Sequence, residues 1–198
     1  MTTPTPVPNK TALTAAPVLP AIADRWSPRA FDPSYELTQH ELLSVLEAAR
    51  WAPSANNGQP VRYSVITRQD KLHDAVIAGM TGFNQAWAPA ASAIIVVSVA
   101  RTTADGSPHR SARYDAGLAV GNLMTQAQDL GLHTHNIGGV LHGQLHETLG
   151  LPAELEVLIA IAIGKVTTPD VLPEGTRERE VAPRTRLALE DIVLHGRP

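Results

Sequence analysis

Ala48-Ala49-Arg50-Trp51-Ala52-Pro53-Ser54-Ala55-Asn56-Asn57-Gly58-Gln59-Pro60 is the stretch on which the reading of the fold turns. A helical pattern stops at Trp51, and a strand-like run, Val61 to Thr67, begins after Pro60. Between them the chain is dense in small and amide residues: Pro53, Ser54, Asn56, Asn57, Gly58 and Gln59. Such residues let a backbone approach a planar ligand while amides and a hydroxyl read its polar edge. The same residues also build a plain helix-to-strand turn. The rest of the chain has to decide between the two.

Upstream, Thr38 and Glu41 form a capping box, and Leu42, Leu43, Val45, Leu46 and Ala49 recur at helical spacing. Downstream, Asp70 to Ala78 reads as a short helix stopped by Gly79. Ala93 to Val99 is a continuous apolar strand of the kind buried on both faces. Thr102 to Arg113 reads as an exposed polar loop. Tyr114 to Leu130 is a helix ended by Gly131, His142 to Leu149 a short helix and Glu154 to Ile163 a third apolar strand. Val166 to Glu180 reads as irregular and charged, and Leu189 to Leu194 as an edge strand or a terminal turn.

The composition narrows the chemistry. The 198 residues suffice for one domain with a sizeable core. A net charge of −3 without a basic run gives no nucleic-acid footprint. With no cysteine, disulfides, Cys-ligated zinc, iron–sulfur clusters and a Cys nucleophile are excluded together. A reducing, cytoplasmic setting fits this usage. The longest apolar run, Leu155 to Gly164, contains a glutamate and is too short to span a bilayer. Residues 1–21 are rich in Pro, Thr and Ala. They read as a flexible tail, or one draped over a partner, ahead of a single domain over residues 22–198.

Nucleotide-binding and hydrolase signatures are absent: there is no GxGxxG, no GxxxxGK[ST] and no GxSxG. His133, His135, His142 and His146 cluster in sequence and read as surface or interface histidines. Arg25, Ser27 and Arg29 alternate, so in an extended backbone they share one side. Two guanidinium groups and a hydroxyl then suit a phosphate or carboxylate, although a solvated basic turn has the same composition. A second Arg-x-Arg, Arg184 and Arg186, lies near the other end of the chain.

Taken in order, these motifs resemble the FMN-dependent nitroreductase family. Arg25-Trp26-Ser27-Pro28-Arg29-Ala30-Phe31 is similar to the family's R-x-S-x-R-x-F opening. Ala49 to Pro60 is similar to its A-x-x-A-P-S-x-x-N-x-Q-P loop. Phe83-Asn84, Gly131-Leu132 with Ile137-Gly138-Gly139, and Pro183-Arg184-Thr185-Arg186-Leu187 follow in the family's order.

The resemblance implies an α+β nitroreductase-like fold, a central and mainly antiparallel sheet flanked by helices, in an intertwined homodimer. It implies FMN as cofactor, NAD(P)H as co-substrate and a small oxidised acceptor, with hydride passing through the flavin in a ping-pong cycle and no catalytic side chain required. Carried over by residue, Arg25, Ser27 and Arg29 would hold the phosphate arm and the polar edge of the ring, and Arg184 and Arg186 would complete the phosphate clamp. Pro53, Ser54 and Asn57 would come from the partner subunit. Asn84 would meet the pyrimidine side, and Ile137, Gly138 and Gly139 would pass beneath the ring. Val61 stands where the family often has Trp, and the aromatic share is 4%. A flavin-binding protein with little turnover is therefore kept as the alternative.

Overall fold

A computed structural model describes residues 4–196. The order of elements follows from where apolar periodicity switches. Helix α1 (Pro20–Asp24) opens on a proline at its first position. Helix α2 (Gln39–Arg50) starts at the expected capping box: Thr38 accepts from the Glu41 N–H, and the Glu41 side chain accepts from the Thr38 N–H. Strand β1 (Val61–Thr67) has its expected bounds. Helix α3 (His73–Ala78) is stopped by Gly79, as expected, and a one-turn helix α4 (Gly82–Gln85) follows. Then come β2 (Ala93–Ala100), α5 (Ala112–Asp129), β3 (His133–Ile137), α6 (His142–Thr148), β4 (Leu155–Gly164), α7 (Glu174–Val181) and α8 (Leu189–Ile192).

The sheet runs β1-β2-β4-β3, and every pairing is antiparallel. Both faces are covered. Along β2, Ala93, Ile95 and Val97 face α2 and α5, where Val45, Ala119 and Leu123 are buried. Ile94 and Val96 face the opposite way, into a core with Phe31, Val76, Trp87 and Leu145. This two-residue alternation between two apolar layers is why the strand reads as unbroken hydrophobic sequence in spite of its antiparallel neighbours.

One expectation needs correction, and two segments become definite. Residues 174–181 are helical, not irregular: Pro173 sets the N-terminus and Glu174 complements the first turn. Residues 133–137, which carry no clear strand signal, form the edge strand β3, with His133 opposite Gly164 and Ile137 opposite Ala160. Its His-Thr-His-Asn-Ile sequence hides the strand because histidine is not a typical strand former. Finally, residues 189–192 resolve as a single helical turn, the second of the two options.

The N-terminal residues are laid against the C-terminal third. Asp170 accepts from the Thr5 N–H at 2.7 Å, and the Thr168 hydroxyl donates to the Thr5 carbonyl at 2.7 Å. The Ala12 N–H donates to the Ala23 carbonyl at 2.9 Å.

Candidate functional site

The segment 25–31 is shaped by its apolar members. Trp26, Pro28 and Ala30 are buried at alternate positions, and buried Phe31, which ends the segment, pairs with Val166 beside the exit of β4. With alternate positions anchored inward, Arg25, Ser27 and Arg29 are left on the other side. On that side the Arg25 guanidinium donates to the Ser27 hydroxyl at 3.3 Å.

Two residues hold this segment from beneath, and the sequence did not disclose either. Glu180, on α7, is 1% exposed. Its carboxylate accepts from the Arg29 N–H at 2.9 and 3.0 Å and from the Ala30 N–H at 3.0 Å. His135, on β3, donates from Nδ1 to the Pro28 carbonyl at 2.8 Å and packs on Trp87, ring centroids 4.5 Å apart. Burial, followed by the positive charges of Arg29 and Arg25, holds the His135 imidazole down at about 4. Its neighbour His133 is held below the usual histidine range by burial and by Arg25. His135 is therefore a buried, neutral support for the arginine segment, which corrects its reading as a surface group, while half-buried His133 packs edge-on against Trp26. His142 and His146 instead cap local carbonyls of Val157 and Pro152. Among the described residues, no group of three or more His, Cys, Asp or Glu could hold a metal ion.

The arginines of the two ends of the chain meet here. Burial, then the charges of Arg184 and Arg186, lower the affinity of the Arg25 guanidinium for its proton. Arg184 is lowered in turn by burial and by Arg186. Among the described residues none of the three has a carboxylate within 4.0 Å. The Asp24 carboxylate offsets part of the charge at Arg184; the like-charge repulsion that remains weakens the fold, and an anion at this place relieves it. Arg184 also does structural work, donating from Nη1 to the Ala23 carbonyl at 2.8 Å and to the Lys10 carbonyl at 2.5 Å.

Asn84 and the glycines lie alongside. The Asn84 amide donates to the Thr81 hydroxyl at 3.1 Å and to the Gly139 carbonyl at 3.4 Å. A Cβ on Gly139 would stand 2.5 Å from Thr81 Oγ1 and 2.9 Å from Asn84 Nδ2, so this glycine is required by its own protein neighbours. Gly138 has open space where its Cβ would be. Phe83, beside Asn84, lies between the guanidinium groups of Arg29 and Arg179, at 5.7 and 4.9 Å from the ring centroid. Ile137 is buried at the end of β3.

Pro53, Ser54 and Asn57 are not part of this assembly. Their loop leads into β1, while the arginine segment is supported by β3, at the opposite edge of the sheet. Three strand spacings, on the order of 14 Å, separate the two edges. The loop's backbone nonetheless follows a left-handed path. Asn56, Asn57 and Gln59 all have positive φ, at 52°, 55° and 43°. The Ser54 hydroxyl accepts from the Gln59 N–H at 3.0 Å, and buried Asp115 accepts from the Ala55 N–H at 3.3 Å. Left-handed non-glycine residues are held only where the surroundings impose them, and such positions concentrate at ligand sites. Asp115 is a further support that sequence did not reveal. A cavity of about 410 Å³ lies next to the loop, bordered by Ser54, Gln59, Arg62, Tyr63 and Asp115.

This geometry has close parallels. The crystal structure of an oxidoreductase containing FMN superposes with a TM-score of 0.87 at 36% identity, over 94% of this chain and 95% of that one. A protein of Desulfovibrio desulfuricans, proposed to be a nitroreductase and crystallised with FMN, gives a TM-score of 0.72 at 28% identity, over 93% and 99% of the two chains. YdgI of Bacillus subtilis (strain 168), proposed to be an NAD(P)H nitroreductase, is 28% identical over 178 residues, 71% of this chain and 84% of that protein. Residues 22–165, which carry the Arg25 segment, the strained loop, Asn84 and the glycine pair, match the family as a block. The sheet, its helical cover and the arginine segment anchored by Trp26 and Phe31 thus have one common source: the chain belongs to the nitroreductase family.

Proposed function

We propose that the protein is an FMN-dependent NAD(P)H oxidoreductase acting on a small oxidised acceptor such as a quinone or a nitroaromatic compound. The observation that carries this reading is the gathering of Arg25, Arg184 and Arg186, none with a carboxylate within 4.0 Å among the described residues, at the segment that also carries Ser27 and Arg29. The FMN phosphate carries about two negative charges, which these groups neutralise. The group fits the residues present in a second respect: Arg29 Nε is buried without a partner.

The chemistry that FMN supplies when bound is hydride exchange between NAD(P)H and the acceptor. The chain's own residues bind and orient. Arg25, Arg184 and Arg186 hold the phosphate. Ser27, Arg29 and Asn84 address the polar edge of the ring, and half-buried Arg29 adds positive charge that favours an electron-rich ring. Ile137, Gly138 and Gly139 form the floor. No proton-transfer residue is invoked.

Pro53, Ser54 and Asn57 join the site from a second subunit. What supports this is their place at the far edge of their own sheet, together with exposed Trp51 and Tyr114, each 72% accessible. A homodimer with two sites then accounts for both strained loop and arginine cluster.

The test is a visible spectrum of the purified protein, followed by anaerobic addition of NADH or NADPH. Flavin bands that bleach and return with a quinone support the proposal. Bands that persist with either nucleotide favour a flavin-binding protein with little turnover. No bands after soaking with FMN overturn the cofactor assignment.

A further inference from the structure

Lys10 belongs to none of the motifs that carry the site, yet its side chain ends among them. It keeps only 9% of its surface exposed. Its ammonium donates to the Ala182 carbonyl, two residues before Arg184, and lies 5.4 Å from the centroid of the Trp26 ring. Its main-chain carbonyl accepts from Arg184. The residue is thus held at both ends against the two arginine segments.

A buried ammonium is stable when paired. Lys10 has no carboxylate within 4.0 Å among the described residues. Glu180, the carboxylate whose charge acts on Lys10, is committed to the N–H groups of Arg29 and Ala30 and to the Arg29 guanidinium. Of the three ammonium hydrogens, the described contacts use one. Burial lowers the pKa of this ammonium; the Glu180 carboxylate opposes that shift, and the charge of Arg184 adds to it. With donors unspent and no carboxylate within ion-pair distance among the described residues, this ammonium is placed to take an anion entering the pocket it lines together with Arg184 and Arg186.

We infer that Lys10 is a phosphate ligand: the N-terminal segment carries its ammonium across the chain to the phosphate end of the flavin site, beside Arg25 and Arg184. This rests on the FMN reading above and adds a binding residue to it. The segment from Thr5 to Asp24 then closes that end of the site, fastened by the Thr5–Asp170 and Arg184–Ala23 contacts.

Riboflavin tests this, because it has the same ring and ribityl chain and lacks only the phosphate. Dissociation constants of the apoprotein for FMN and for riboflavin are measured by flavin fluorescence, for the wild type, Lys10→Gln and Lys10→Arg. The expected result is FMN binding weakened about tenfold or more in Lys10→Gln, as for one lost charge-assisted contact. Riboflavin affinity stays unchanged and FMN affinity largely recovers in Lys10→Arg. Equal weakening toward both flavins would reduce Lys10 to a packing role and overturn the inference, as would no change toward either. A wild-type protein that binds neither flavin overturns the proposed function, and the inference falls with it.

Discussion

The carboxylate of Glu180 accepts the Arg29 N–H with both of its oxygens, at 2.9 and 3.0 Å, across 151 residues of sequence. This contact, with the one to Ala30, fixes the backbone from which Arg29 projects. Because Glu180 is buried, its removal leaves two amide groups without an acceptor. Glu180→Ala should destabilise the protein by about 3 kcal/mol in urea unfolding. Glu180→Gln retains one acceptor oxygen and should cost roughly half as much. Both should lose FMN affinity, since Arg29 is no longer aimed. Full stability in Glu180→Ala would show that water replaces the carboxylate.

His135 gives stability a pH dependence with a defined sign. Its folded value is held at about 4, below the ordinary 6.5, so the unfolded chain binds a proton that the fold refuses. The contribution is complete above pH 6.5, falls as pH drops toward 4 and levels off below. The shift amounts to roughly 3 kcal/mol at most. Urea midpoints measured between pH 4 and 7 should rise with pH. His135→Asn should be less stable at pH 7 and show a shallower rise. An equally steep profile in the variant would place the pH dependence on other groups.

The two glycines after β3 should separate packing from binding. Gly139→Ala forces a methyl into Thr81 and Asn84 and should lower stability by about 1–3 kcal/mol without any ligand. Gly138→Ala meets open space and should leave the apoprotein's unfolding midpoint unchanged. If the ring passes against Gly138, that variant loses FMN affinity all the same. Retained affinity would move the floor of the site elsewhere.

Arg25 should show opposite effects on affinity and stability. Its charge is opposed by Arg184 and Arg186. Arg25→Met should weaken FMN binding about tenfold or more, as one charge-assisted contact is worth about 1.5–3 kcal/mol. The apoprotein should be no less stable, because a repulsion has been removed. Added phosphate should stabilise the wild type more than the variant. A variant that keeps its FMN affinity would take Arg25 out of the phosphate site.

Subunit mixing tests the shared site. Asn57→Ala and Arg186→Ala chains, each weak alone, are unfolded together and refolded at equal amounts. If Asn57 serves the partner's site, half of the dimers are mixed and each has one intact site, so about a quarter of wild-type activity returns. No recovery beyond the sum of the two variants would place both residues in the same site of one chain.

The helices and strands were legible where the signal is local. The Thr38–Glu41 box, the stop at Gly79 and the apolar run of β2 each depend on residues within a turn or a strand, and each lies where the sequence placed it. The ordered arginine, amide and glycine motifs likewise pointed to the family before any contact was seen. Tertiary structure decided what supports them. Glu180 sits in an Arg-Glu-Arg-Glu tract that reads as solvated, and only the folding of α7 against residues 29–30 makes it a buried acceptor. His135 read as a surface or interface group until β3 joined the sheet edge and turned it under the arginine segment. Lys10 lay in a segment with no periodicity at all. The sequence alone determined which elements form and which residue types bind, because propensity, caps and periodicity act over a few residues. Only the tertiary structure decided which charges share a site, because burial and charge pairing between residues 150 or more positions apart exist only once the chain has closed on itself.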